Sequence, residues 1–535
     1  MPSRTRHWFS AACALSLVVF GVGLVGTAGG QPIPPARLTP ASFDALVIGE
    51  APALGGAAAG DEQFLRRASF DLVGRPPTLD EQRRFAADRS AEKHHNVIER
   101  LLASDEFGAN WADYWTDTIA YRVPPPELTY LNYRPLKRWL TEQLNANTPW
   151  DKITRELLTA RGKIEEQPAA TFVGYHQANA TNLAAETSRV FLGQQIGCAQ
   201  CHDHPFDNWK RTQFHELAAF FARTKSKLSQ NDGAGTVVSS AAKGEYLMRD
   251  AVDPHNKGTE VRPAFLDSAP RDIGASDEAR RAKLAAWVAS HDNPWFAKAY
   301  VNRIWGRLMG RGFYEPVDDL GDSRTGLWPE VHEALARHFA ESGFDTKELL
   351  RLIMNSQAYR TGPRSLAPGA PDAGSSDEWP WRLRGDEVFA ALKVGLELPD
   401  ITPPETKPTA AVRFPPPPKS TRDMVNGTFG SDPSLTARDV PRTITQALWM
   451  MNNEQLQRQI SAAKGSGTML AKLLESEPDN AKACEQLFSR VLARAATADE
   501  TKIALAHIAA VGDRCAGFED LLWSLVNSAE FTARR

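Results

Sequence analysis

Asn293-Pro294-Trp295-Phe296-Ala297-Lys298-Ala299-Tyr300-Val301-Asn302-Arg303-Ile304-Trp305-Gly306-Arg307-Leu308-Met309 is the stretch that decides the fold class. Phe296, Tyr300, Ile304 and Leu308 recur every fourth residue, with Met309 beside the last, so one face of an α-helix is apolar. Asn293 suits the N-cap, because its side-chain oxygen can accept from the free N–H groups of the first turn. Pro294 suits the first helical position, where no N–H is needed. Arg303, Trp305 and Arg307 alternate along the same helix, and buried ion pairing is the expected use of the two arginines.

The same period extends in both directions. Leu284, Trp287 and Val288 form an apolar face just before this stretch, and helices are predicted over residues 329–342, 346–355 and, in several pieces, 443–535. Towards the N-terminus, Phe64, Leu65, Ala68, Phe70 and Leu72 predict a helix ended by Gly74-Arg75-Pro76-Pro77, and Thr78-Leu79-Asp80-Glu81 is a capping box that opens the next. A helix over 91–103 carries Val97, Ile98, Leu101 and Leu102. Phe107, Trp111, Tyr114 and Trp115 then form an aromatic stripe at spacings of three and four, expected in the core. Amphipathic helices follow near 136–145 and 151–159. Residues 122–135, 361–379 and 401–420, rich in proline or in proline, glycine and serine, read as connections. Residues 225–262 read as a loop or a short hairpin around Tyr246 and Val252. The expected fold is mainly α, with two helical domains, long loops and little β-structure: 61–261 and 262–535, after a loose lead-in over 31–60.

One signature recurs. Thr78-Leu79-Asp80-Glu81 followed by Leu101-Leu102-Ala103-Ser104-Asp105-Glu106-Phe107 returns as Thr497-Ala498-Asp499-Glu500 followed by Leu521-Leu522 and Asn527-Ser528-Ala529-Glu530-Phe531. Leu349-Leu350 with Asn355-Ser356-Gln357-Ala358-Tyr359 resembles the second of these endings, at 521–531. The pattern suggests one helical hairpin used more than once, although capped amphipathic helices also resemble one another.

Charged residues make up 24% of the 535-residue chain and the net charge is −3, with signs mixed along its length. Nothing in this balance calls for a nucleic acid partner. Arg4, Arg6 and His7, the apolar run from Ala11 to Val25 and Gly26-Thr27-Ala28 read as a signal peptide over residues 1–30. Export to the periplasm or cell envelope is therefore expected, with a membrane anchor only if that segment stays uncleaved. Of five cysteines, Cys13 falls in the signal, and Cys484 and Cys515 are candidates to pair.

The remaining two stand in Cys198-Ala199-Gln200-Cys201-His202, continuing Asp203-His204-Pro205-Phe206-Asp207-Asn208-Trp209. Two thiols three positions apart with a histidine directly after the second form the attachment pattern of c-type haem: Cys198 and Cys201 as thioether partners, His202 as the axial ligand. The same cysteines also read as half of a zinc site, completed by His204 and His215 or by His202. A disulfide or thiol pair is the third reading. For haem, His176, His215, His255 and Met248 are the candidate sixth ligands, and electron transfer is the expected activity, with an exported redox partner not specified by the sequence. A zinc-held scaffold without turnover is the first rival. A polysaccharide hydrolase using Asp318, Asp319 and Asp322 is the second. No nucleophile elbow, phosphate loop or dinucleotide fingerprint supports another enzyme class, and no catalytic residue is assigned.

The segments FLRRASFDLVGRPPTLDE and FLGQQIGCAQCHDHPFDNWKRTQFHELAAFFAR resemble the first of two paired domains of unknown function in exported planctomycetal proteins. NPWFAKAYVNRIWGRLMGRGFYEPVDDLG, LLRLIMNSQAYR, ITQALWMMNNEQLQRQI and LLWSLVNSAEF resemble the second. The resemblance implies export, a two-domain helical architecture and a Cys-x-x-Cys-His segment that belongs to the first domain. Such proteins often carry a separate cytochrome c domain. No such domain is read between residues 31 and 60, so any redox role rests on Cys198, Cys201 and His202.

Overall fold

In the computed structural model, residues 37–51, 59–120, 134–229, 235–250, 253, 255–268, 274, 276–361, 381–404, 418–435, 440 and 442–534 are described. The predicted signal peptide, the connection over 122–133 and most of the two proline-rich insertions lie outside them. The chain is 60% helical and 4% strand, as the repeating period of four required. Among the described residues 23 α-helices run from Pro40–Glu50 to Arg514–Val526, and none is long and apolar enough to cross a membrane. Residues Leu38–Arg535 form one compact unit.

Local chemistry accounts for the helix ends. The Thr78 and Thr497 hydroxyls each accept from the N–H three residues on, and Glu81 and Glu500 reach back to the cap N–H, so both boxes are formed. Gly74, at φ 69°, closes Asp61–Val73 in the left-handed conformation that glycine adopts without a Cβ penalty. Asn293 Oδ1 accepts from the N–H groups of Trp295 and Phe296, but the helix Phe296–Met309 starts two positions later than expected, with Trp295 and not Asn293 at the N-cap position.

The repeated signature is a repeated structure. Arg75 bridges Glu81 and Glu106, at 2.7 and 2.6 Å. Arg494 bridges Glu500 and Glu530, both at 2.7 Å, and each arginine also donates to the carbonyl of the next residue. Ser356 and Ser528 share a further device. Each hydroxyl donates to the carbonyl three residues back and accepts from the N–H three residues on.

Two apolar clusters divide the chain. The first draws on residues from Phe43 to Tyr359 and contains the aromatic stripe. Trp111, Tyr114 and Trp115 meet edge to face in succession, and Trp115 stacks on Tyr300, which stacks in turn on Phe339. The second draws on Leu383 to Phe531, together with Phe70. Residues 262–361 thus pack with 61–261, and the change of core falls between Tyr359 and Leu383. Asp61–Val73 faces both clusters, and every residue from Phe64 to Val73 is buried.

Three parts of the fold depart from expectation. Pro40–Glu50, inside the presumed loose lead-in, is a helix with a Thr39/Ser42 capping box and buries Phe43 and Val47. Its alanine- and proline-rich surroundings hid an apolar pair at helical spacing. Gly385–Leu396 and Thr421–Phe429 are helices beside the proline-rich insertions. Residues 224–261 hold more β-structure than a single hairpin. Thr224–Ser229 pairs antiparallel with Gly235–Ser240, which also takes up Gly162–Lys163, while Tyr246–Met248 pairs with Thr259–Val261. The partner strand at 162–163 lies about 70 residues upstream, beyond the reach of a local period.

Thr78→Ala and Thr497→Ala should each cost about 1 kcal/mol in urea denaturation, the typical worth of a cap. Asp71→Ala should cost about 3 kcal/mol or more, because it leaves buried arginines uncompensated.

Candidate functional site

The helix Ala180–Thr187 widens into a π-turn over Ser188–Leu192 and stops at Gly193, φ 62°. Only glycine suits this position. A Cβ there would stand 2.7 Å from Leu320 Cδ1, and the Gly193 carbonyl accepts from Leu320 N–H at 2.7 Å. The chain then makes a short 3-10 turn, Ile196–Gln200, whose apolar residues Ile196 and Ala199 are buried. Inward anchoring of those two leaves Cys198, Cys201 and His202 on the surface.

The ring nitrogens separate the histidines. His202 Nδ1 lies 2.7 Å from the Asp203 carbonyl, so it carries the proton and donates, leaving Nε2 as the ring's lone-pair nitrogen. His204 has the opposite arrangement. Its Nδ1 accepts from the N–H groups of Phe206 and Asp207, so the proton sits on Nε2. Both nitrogens of His215 are engaged: Nε2–H donates to the Gln200 carbonyl at 3.0 Å, and Nδ1 accepts from the Tyr246 hydroxyl at 2.8 Å. Burial lowers the His215 pKa and raises that of Tyr246 to about 12, so both are neutral in this pair.

The two-Cys, two-His zinc set with His204 and His215 is therefore not assembled. Among the described residues, no group of three or more His, Cys, Asp or Glu is placed to hold a metal ion. Cys484 is buried, Cys515 is exposed, and the two are unpaired, as are Cys198 and Cys201. Of the other candidate ligands, His176 is buried against Phe172 and Tyr175, and burial drops its pKa to about 4. His255 is exposed, and Met248 lies in a short strand.

The acidic stretch from 318 to 322 braces the cysteine segment. Asp318 is fully buried and takes Arg189 at 2.6 Å, Gln195 at 2.9 Å and Ser434 at 2.7 Å, with Arg303 at 3.5 Å. Burial pushes its carboxyl up, but Arg303, Arg189 and these hydrogen bonds outweigh it and hold the pKa at about 2. Asp319 pairs with Arg324, and Asp322 accepts from Asn208 at 3.0 Å. Asp207 accepts from Ser323 N–H, and a Cβ on Gly321 would stand 2.5 Å from the Asp207 carboxylate. The three carboxylates thus have separate sets of partners, and with its pKa held at about 2 Asp318 is ionised near neutral pH, which suits a brace for the cysteine segment and not a general acid.

Asp203 holds the other side of the loop. Its carboxylate accepts from Arg211 N–H, the first of the helix Arg211–Ala218, and from Lys210, which lowers its pKa. Phe206, 81% exposed, stands on the same loop. Arg189, Gln195, Asp203 and Tyr246 were missed as site residues. Arg189 and Gln195 lie within ten residues of the motif, but no local spacing pairs them with a carboxylate more than 120 residues away. Arg303 and Arg307 are ion-paired as their alternation suggested, Arg307 with Glu387.

Residues 54–226 match the family model described as PSCyt2, protein of unknown function (DUF1549), and residues 280–384 match PSD1, protein of unknown function (DUF1553). One chain carries both. The first match spans the cysteine segment and the second spans the Asp318 loop that braces it. The chain is also 25% identical over 309 residues to human serine protease 56, a share of 52% of this chain and 47% of that protein. It thus spans about half the length of that curated relative. No solved structure matches.

Asp318→Asn should cost about 3 kcal/mol or more at pH 7, since buried Arg303 loses its anion and half-buried Arg189 is left with Glu186. The native carboxyl titrates below its unfolded value of 3.8, so its contribution, on the order of 2 kcal/mol, is present above that pH and lost as pH falls through about 2. The gap between wild type and variant in urea denaturation should accordingly narrow from pH 5 to pH 2.

Proposed function

We propose that Cys198 and Cys201 carry a covalently attached c-type haem with His202 as its axial ligand, and that the protein is an exported electron-transfer protein. The observation that carries this reading is the His202 ring. Its Nδ1–H is committed to the Asp203 carbonyl, which fixes the tautomer and leaves Nε2 as the basic nitrogen. Two exposed, unbridged thiols in the preceding turn complete a donor set that fits the group. When bound, haem would supply one-electron chemistry.

The chain's own residues would hold that donor set still. Ile196 and Ala199 anchor the turn from below, and His215 holds the Gln200 carbonyl. Asp203 ties the following residues to the N-terminus of Arg211–Ala218. On the far side, Asp318 holds Gln195, and Ser323 N–H holds Asp207. A ligand loop braced at both ends keeps its geometry through a change of charge. Export agrees with the basic and apolar pattern of residues 1–30, and thioether attachment belongs to an oxidising compartment.

Expressed beside a haem-attachment system, the exported protein should show a Soret band and a haem stain that survives denaturation, both lost in Cys198→Ala and Cys201→Ala. A colourless wild type, made in cells that mature a control cytochrome, would overturn the reading.

A further inference from the structure

The haem reading does not use the recess at the other end of the His215–Tyr246 pair. A cleft of about 650 Å³ opens there, between the strand Thr224–Ser229, the strand Tyr246–Met248 and residues 255–257. Lys225, Arg249 and Lys257 line it from three separate backbone segments, with His255 beside them. None of the three cations has an ion pair among the described residues. Glu245, also on the lining, is already held by two arginines, Arg223 and Arg280. The lining thus gathers a surplus of positive charge in a chain whose net charge is −3. Like charges brought together repel, and a counter-anion relieves that cost.

We propose that this cleft binds a small multiply charged oxyanion, a compound bearing carboxylate, phosphate or sulfate groups, and that its occupancy is transmitted to the cysteine turn. The transmitting contacts are direct. Tyr246, on the cleft wall, donates to His215, and His215 donates to the carbonyl of Gln200, the residue before Cys201. Arg211, at the start of the same helix, donates to the Arg249 carbonyl. A ligand drawn against Arg249 and Tyr246 therefore bears on Arg211–Ala218 and, through it, on the turn.

The test is calorimetric titration of the exported protein, made without haem attachment, with citrate, inorganic phosphate and inorganic sulfate at low salt. Saturable binding of at least one of them is expected, weakening as sodium chloride rises. Lys225→Ala and Lys257→Ala should each weaken it by roughly fivefold, as expected for an exposed charge pair. The double variant should weaken it by roughly 25-fold, with its melting temperature unchanged. The rank order of the three anions tells which oxyanion class the site takes. No binding of any of them, or undiminished binding by the double variant, would overturn the proposal. The alkylation rate of Cys198 and Cys201 by iodoacetamide should also change on ligand addition in the wild type and not in Tyr246→Phe. An unchanged rate in the ligand-bound wild type would overturn the transmission. Neither readout involves haem, so a failure here is distinct from a failure of the haem reading.

Discussion

Three charged side chains on one helix, Arg66, Arg67 and Asp71, are buried between two apolar clusters, and the rest of the structure is arranged to satisfy them. Arg66 donates to the carbonyls of Leu492 and Ala533, and Arg67 to those of Tyr359 and Leu308. Asp71 accepts from the Tyr359 hydroxyl and from Arg534, which also binds Glu387. A buried charge without such partners is strongly destabilising. Asp61–Val73 is therefore stable in place only when residues from both clusters have come together around it. This requirement couples the two cores more firmly than apolar packing alone, which is tolerant of register.

The same physics recurs at the cysteine segment. Asp318 is buried where it meets an arginine on the π-turn and another on the helix Phe296–Met309. Burial alone would neutralise it, and the two arginines keep it ionised. The cysteine turn carries little apolar anchoring of its own beyond Ile196 and Ala199. Its position is set from outside, by the 317–323 loop on one side and by Arg211–Ala218 on the other. That division explains why the two family matches, which are separate in sequence, meet at one place in the fold.

The α character was legible because helices write themselves locally. A period near four, a threonine cap with a glutamate three residues on, and a glycine at the end all act within a few residues of one another. The recurrence around Thr78 and Thr497 was legible for the same reason, though the arginine that completes each copy was not, because its second partner lies 31 or 36 residues away. Pro40–Glu50 was missed where composition outweighed a two-residue apolar face. The three-stranded sheet was missed because its pairing is non-local.

At the site, the identity of the chemistry-bearing residues was a property of the sequence. Cys198, Cys201 and His202 stand in a fixed spacing that needs no fold to recognise, and covalent spacing is all that such a pattern contains. Which histidine has its Nε2 lone pair available was decided only by the folded conformation: the loop's own backbone turns the neighbouring carbonyl onto His202 and two N–H groups onto His204, and tertiary packing brings the Tyr246 hydroxyl to His215. The fate of Asp318 was decided in the same way. A carboxylate in sequence is only a charge, and whether it titrates, catalyses or braces is set by the groups that three-dimensional packing brings within hydrogen-bonding distance.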